Sequence, residues 1–309
     1  MYDTVNFWKE INNENEIHSI CKYIENQQTT IGEDGNLLKI SGHIENYKID
    51  VNLSSITMYG SLAKYYLLSN VLTLTQKTTK DAVEKLSDCT HIDIKNANVR
   101  RLDISTVIET KHVPSIYFPY LGNKPKFERL QSTKNTLYYR TKQRQLAFYD
   151  KNKEVNKKKN IIPKIFEGKN LFKYELSIRS NLKRQLKINE SIKGKMLYDN
   201  DFYYNNIQQW GKEFETIQKI NTNMHMIDKI KTPKDAKDFI FSCLLQDIGV
   251  NGINDYVAYL KAINKYKDPK YYTRLSKDLF KLIEAPKEAK GECLKELENA
   301  ISYIVKNAS

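Results

Sequence analysis

The spacing of apolar residues changes about two thirds of the way along the chain. Up to residue 190 much of it has period two, the period of strands whose side chains alternate between two faces. MYDTVNFW predicts a short first strand. In ENEIHSICKYIENQQ, Ile17, Ile20, Cys21 and Ile24 recur at helical spacing and predict a helix. GEDGN reads as a turn. LLKISGHI and YKIDVNL alternate on either side of Glu45-Asn46 and predict a hairpin, which SSITMYG and SLAKYYLL extend as a meander. TTKDAVEKLSD opens with Thr78 and carries Asp81 three residues on, a helix-capping pattern.

Three more strands follow: VRRLDIST at 99–106, a hairpin in TLYYRTKQRQLAFYDK turning near TKQR, and LFKYELSIRS at 171–180. Between the last two, KNKEVNKKKNIIPKIFEGKN is lysine-rich and broken by Pro163 and Gly168, and reads as a mobile basic loop. After residue 190 the period becomes helical. FYYNNIQQWGKEFETIQKI is amphipathic, Thr232-Pro233 and Asp268-Pro269 each open a helix, and ECLKELENAISYIVKN is the last. The expectation is an α+β fold: an antiparallel sheet with flanking helices over residues 1–190, then an α-helical region over 191–309.

Charge sharpens this picture. The 309 residues carry a net charge of +13, yet Lys124 to Lys187 alone holds 19 Lys or Arg against 5 Asp or Glu. The whole excess lies in that segment, which points to a polyanion partner, nucleic acid above all. No run approaches the roughly 18 apolar residues of a membrane span, and the N-terminus lacks a signal-peptide pattern. Cys21, Cys89, Cys243 and Cys293 are far apart with no CxxC, and read as reduced core residues of a cytoplasmic protein. The five histidines show no HxH, HExxH or His-triad spacing, and there is no P-loop.

Alternation also sorts the polar residues of the three strands. Arg101, Asp103 and Ser105 share a face, as do Lys173, Glu175, Ser177 and Arg179, and as do Gln145, Ala147, Tyr149 and Lys151. In one antiparallel sheet these faces merge. Asp103 and Glu175 are hard oxygen donors suited to Mg²⁺ or Mn²⁺, and such an ion polarises a phosphodiester. A tyrosine attacks poorly at its usual pKa near 10, so nearby cations such as Lys151 are expected to favour the phenolate of Tyr149.

VRRLDIST, TLYYRTKQRQLAFYDKNKE and LFKYELSIRS resemble, in that order, three motifs of rolling-circle replication initiators. The likeness is to the phage and plasmid replication proteins that include the filamentous-phage initiator, and the staphylococcal-type plasmid initiators are similar. MYDTVNF and GSLAKYYL share it, and it spans residues 1 to about 190. The resemblance implies an HUH-endonuclease-like nuclease core and a metal-dependent nickase and strand transferase. Tyr149 would be the nucleophile, Lys151 its helper, and Asp103 and Glu175 the Mg²⁺ or Mn²⁺ ligands, with His91 as a further candidate. Arg101, Arg140, Lys142, Arg144, Lys173 and Arg179 would contact DNA. Lys173 stands where the family more often has Arg, which keeps the charge but loses the bidentate fork. The partners implied are origin DNA, single-stranded or extruded at the nick site with its flanking duplex, a host helicase and a second copy of the chain. A non-enzymatic origin-binding or copy-control factor is the alternative that the same basic segment allows.

Overall fold

In this computed structural model, which describes residues 1–11, 14–158, 160–220, 231–283 and 291–308, the period-two stretches become strands. They are β1 (Tyr2–Glu10), β2 (Glu25–Ile31), β3 (Leu37–Ile44), β4 (Tyr47–Val51), β5 (Ser55–Ser61), β6 (Asn98–Thr110), β7 (Glu128–Thr133), β8 (Thr136–Arg140), β9 (Arg144–Asp150) and β10 (Asn170–Ile178). Among the described residues they form one sheet in the order β2-β3-β4-β5-β1-β6-β10-β9-β8-β7. Every pairing is antiparallel. The helices are α1 (Glu14–Cys21), α2 (Leu62–Leu67), α3 (Gln76–Thr90), α4 (Lys151–Lys157), α5 (Leu182–Leu186), α6 (Asn200–Glu215), α7 (Pro233–Ala262), α8 (Lys270–Ile283) and α9 (Glu292–Lys306). The fold is α+β, with a large antiparallel sheet, flanking helices and a helical C-terminal region.

Four local expectations are corrected. The first helix stops at Cys21, and Glu25–Ile31 pairs with β3 as a fully exposed strand instead. SLAKYYLL does not extend the meander. Ser61 caps it by accepting from the backbone N–H of Lys64, and α2 buries Leu62, Ala63 and Tyr65. The next helix begins one turn before Thr78, because Thr75 and Thr78 cap it reciprocally. The lysine-rich stretch after Tyr149 is not a loop throughout. Asp150 caps α4 by accepting from Lys153 N–H, and Val155 is buried.

One face of the central strands carries the main aromatic core. Phe148 stacks on Tyr174 with ring centroids 4.6 Å apart, and Tyr174 stacks on Trp210 of α6 at 4.5 Å. Tyr174 Oη donates to the Trp210 carbonyl at 2.9 Å, and Phe214 packs edge-on to Phe148. Such pairs add about 0.5–1.5 kcal/mol each beyond simple burial. On the opposite face, Val71, Val155 and Leu171 form a small cluster with Val107, Ile162 and Phe166, which seats α4 against β10.

By packing, residues 1–218 and 296–309 make one compact unit and residues 219–295 another. In the second unit α7 packs on α8, and Ser242 donates to the Leu282 carbonyl at 2.8 Å. Gly249 breaks α7 at φ 76°, a left-handed conformation that glycine adopts without strain. No described helix is long and apolar enough to cross a membrane. The cysteines are not all core residues: Cys293 is buried, but Cys21 is half-buried and Cys89 exposed. The Cys243 side chain and His225 lie outside the described residues.

Candidate active site

Register decides which polar side chains meet. On β6 and β10, Asp103 lies opposite Ser177, Ser105 opposite Glu175 and Val107 opposite Lys173. On β10 and β9, Lys173 lies opposite Tyr149, Glu175 opposite Ala147 and Ser177 opposite Gln145. Opposed residues share a face, here the one turned away from Trp210. Glu175 is thus the diagonal neighbour of both Asp103 and Tyr149, at about 7–8 Å between Cα atoms. The half-buried Tyr149 opens on a 490 Å³ cleft that Tyr138, Gln145, Glu175, Lys153 and Glu154 also line.

The charges in this face are already arranged in pairs. Arg101 places its fork on Asp103, with Nε 3.0 Å from Oδ1 and Nη2 2.7 Å from Oδ2. Lys173 is buried, and its ammonium donates to Asp3 Oδ2 at 2.9 Å and to the Asn70 carbonyl at 3.0 Å. Ser61 donates to the other Asp3 oxygen. Glu175 accepts a hydrogen bond from Ser177 at 3.0 Å. Sequence reading missed Asp3, Asn70 and Ser61. The only signal for Asp3 is an acid near the start of the first strand, because its partner is 170 residues away.

Lys151 departs from its expected place. It does not continue the strand face of Tyr149 but is the first residue of α4. Its buried ammonium donates to Asn70 Oδ1 at 2.9 Å and to Glu154 at 2.6 Å, and lies 6.0 Å from the centre of the Tyr149 ring.

Burial and like charge set the proton affinities. Burial raises the Asp103 pKa although Arg101 opposes it. Burial, then Asp103 and Asp3, push Glu175 up to about 7. At Asp3 burial acts upward, but Lys173 and Ser61 outweigh it and the net shift is down. Burial and the neighbouring Lys173 lower Lys151. Burial, then Glu175 and Asp3, lift Tyr149 well above its usual value. This corrects the expectation that surrounding charge favours the phenolate. Lys173, Arg101 and Lys151 are held by Asp3, Asp103 and Glu154, and the charges that act on the tyrosine most strongly are the carboxylates of Glu175, Asp3 and Glu154.

The other basic candidates divide between faces. Arg140 and Arg179 both donate to Gln145 Oε1 at 2.8 Å, beside the cleft. Lys142 is exposed in the β8–β9 turn. Arg144 points to the helical side, where Glu213 and the Gln185 carbonyl take its guanidinium. His91 ends α3 with φ 53° and packs its ring against Tyr23 at 4.4 Å, away from the strands that carry the carboxylates. Tyr139 is structural, donating to the Leu121 and Gly122 carbonyls. Tyr138 lines the cleft under the Arg140 guanidinium, 4.3 Å from its ring centre.

Among the described residues, no group of three or more His, Cys, Asp or Glu is arranged to hold a metal ion. The donor set still suits Mg²⁺ or Mn²⁺, which bind through one or two carboxylates and complete their shells with water and phosphate oxygens. Burial first, and then repulsion from Asp103 and Asp3, raise the Glu175 pKa, and a bound cation would relieve the repulsive part.

Residues 1–206 match the Phage CRI family, described as the N-terminal part of a replication-associated protein. No curated protein matches the chain. Among solved structures, a rolling circle replication initiator protein from Geobacillus stearothermophilus is similar at 12% identity and a TM-score of 0.34, over 60% of this chain and 76% of that one.

Proposed function

The chain belongs to the Phage CRI family of replication-associated proteins, and on that premise we propose that it initiates rolling-circle replication by nicking one strand of origin DNA with Tyr149. The observation that carries this reading is the strand register, which gathers Tyr149, Glu175 and Asp103 on one face beside an open cleft.

In the reaction, Tyr149 Oη attacks the scissile phosphorus while the P–O3′ bond breaks. The phenol proton ends on the departing 3′ oxygen. The products are a 5′-phosphotyrosine link and a free 3′-hydroxyl that primes synthesis, and attack of a 3′-hydroxyl on that link reverses the step as strand transfer. Asp103 and Glu175 would hold Mg²⁺ or Mn²⁺, which when bound supplies Lewis-acid polarisation of the phosphodiester and positive charge beside the carboxylates. Lys173, pinned by Asp3, keeps an ammonium across from Tyr149. Lys151 holds Glu154 and the start of α4 beside the tyrosine ring. Arg101 and Arg179 orient the strand, and Arg140 and Lys142 contact its backbone. The nicking function belongs to residues 1–190 in this reading. The region 191–309 serves origin duplex recognition or contacts with a second copy or a host helicase, in the cytoplasm.

The test is incubation with supercoiled origin DNA and Mg²⁺ or Mn²⁺, followed by mass-spectrometric mapping of the residue left attached to DNA. Wild type should yield an adduct on the Tyr149 peptide, and Tyr149→Phe should yield none. An adduct on another tyrosine, or an undiminished adduct in Tyr149→Phe, removes the assignment.

A further inference from the structure

A second cleft, of 740 Å³, opens where β1, the start of β6 and the end of β10 meet, and its lining includes Trp8, Arg100, Arg179, Lys183 and Arg184. No acid lines it. The four cations are exposed, and Trp8 is half-buried. Arg100 lays its guanidinium over the Trp8 indole at 4.1 Å. Two flat groups, one of them aromatic, therefore sit inside a concentrated positive field. Nucleobases stack on both kinds of surface while basic side chains follow the phosphates.

We propose that this cleft binds the single-stranded DNA flanking the scissile phosphate, with a base stacked at Trp8 and phosphates held by Arg100, Lys183 and Arg184. The assignment rests on the nicking role of Tyr149 and names a path for its substrate. Arg179 joins the two sites, since it lines this cleft and donates to Gln145, which lines the cleft of Tyr149. Arg179 follows the end of β10 and lies six positions beyond Lys173, which is opposite Tyr149, or roughly 20 Å at about 3.3 Å per residue. A short run of extended nucleotides spans that distance. Duplex DNA keeps its bases stacked inside and cannot offer one to Trp8, so the cleft selects unpaired strand.

Tryptophan emission reads this site directly. The chain has two tryptophans, and Trp210 is fully buried. The full-length protein is titrated with a thymidine oligonucleotide and, separately, with a blunt duplex of equal length. The oligonucleotide should quench emission and the duplex should not. Trp8→Phe should remove the quench. The triple change Arg100→Ala, Lys183→Ala, Arg184→Ala, checked for native circular dichroism, should weaken binding and lower the log–log salt slope by about 2, at roughly 0.7 per phosphate contact. Unchanged quench in Trp8→Phe, an unchanged slope in the triple variant, or equal quench by duplex overturns the proposal. A wild type that quenches through Trp8 but nicks no DNA would sink the nicking role and leave the cleft standing.

Discussion

Lys173 stands directly across the sheet from Tyr149, and its buried ammonium is held 2.9 Å from the carboxylate of Asp3. The pair ties β1 to β10, across the intervening β6, at the position of the candidate nucleophile. Removing one member strands the other charge in the interior. Asp3→Asn should therefore lower stability by about 3–5 kcal/mol, read as a lower urea midpoint at constant m-value. Adding Lys173→Met should recover most of that loss. A cost below about 1 kcal/mol for Asp3→Asn, the range of exposed pairs, would mean that the contact anchors nothing.

Glu175 should make the protein less stable as pH rises. Its folded pKa of about 7 exceeds the ordinary value of 4.5, so between these pH values the folded state binds the extra proton. Stability from this group is therefore full below about pH 4.5 and is lost as pH climbs through 7. Glu175→Gln cannot titrate. The gap in unfolding free energy between wild type and Glu175→Gln should shift against wild type across that window. A gap that stays flat from about pH 4.5 to about 7.5 would contradict the raised pKa.

Divalent cations should act on the same carboxylates. Mn²⁺ at about 100 times its dissociation constant should stabilise wild type by about 2.7 kcal/mol through binding to the folded state alone. Asp103→Asn with Glu175→Gln should abolish the rise in melting temperature. An equal rise in that double variant would place the ion elsewhere.

The aromatic stack behind the site should be sensitive to shape. Phe148→Ala opens a cavity between Tyr174 and Phe214 and should cost about 3–5 kcal/mol. Phe148→Leu should cost clearly less. Equal loss in both, measured by chemical denaturation, would show that ring stacking rather than filled volume holds β9 in place.

The sequence made the three central strands and the convergence of Asp103, Glu175 and Tyr149 on one face legible, because period two is a local signal and the three strands proved neighbours, whereas the exposed edge strands β2 and β7 were missed. It did not make the end of β9 legible. Asp150 looks like one more strand residue until its side chain accepts from Lys153, and that capping turn carries Lys151 off the tyrosine's face. Asp3 was hidden for another reason. Its role depends on β1 lying beside β6, a strand far along the chain, in a pairing bent by irregularities between Tyr2 and Val5 and after Asn6. The proton affinity of Tyr149 was misjudged because net segment charge does not say which cations are already bound to carboxylates.

The order of synthesis gives the sheet a timing property. Among the described strands β10 is the last to leave the ribosome, yet it sits between β6 and β9. A nascent chain that ends before Asn170 must leave a gap at that place, with Tyr149 on an unfinished edge and no Glu175 to meet it. Pairing at such long sequence separation is slow to form. Bringing Tyr149 beside Asp103 and Glu175 is thus the closing event of the sheet, and a product that stalls before β10 lacks that arrangement.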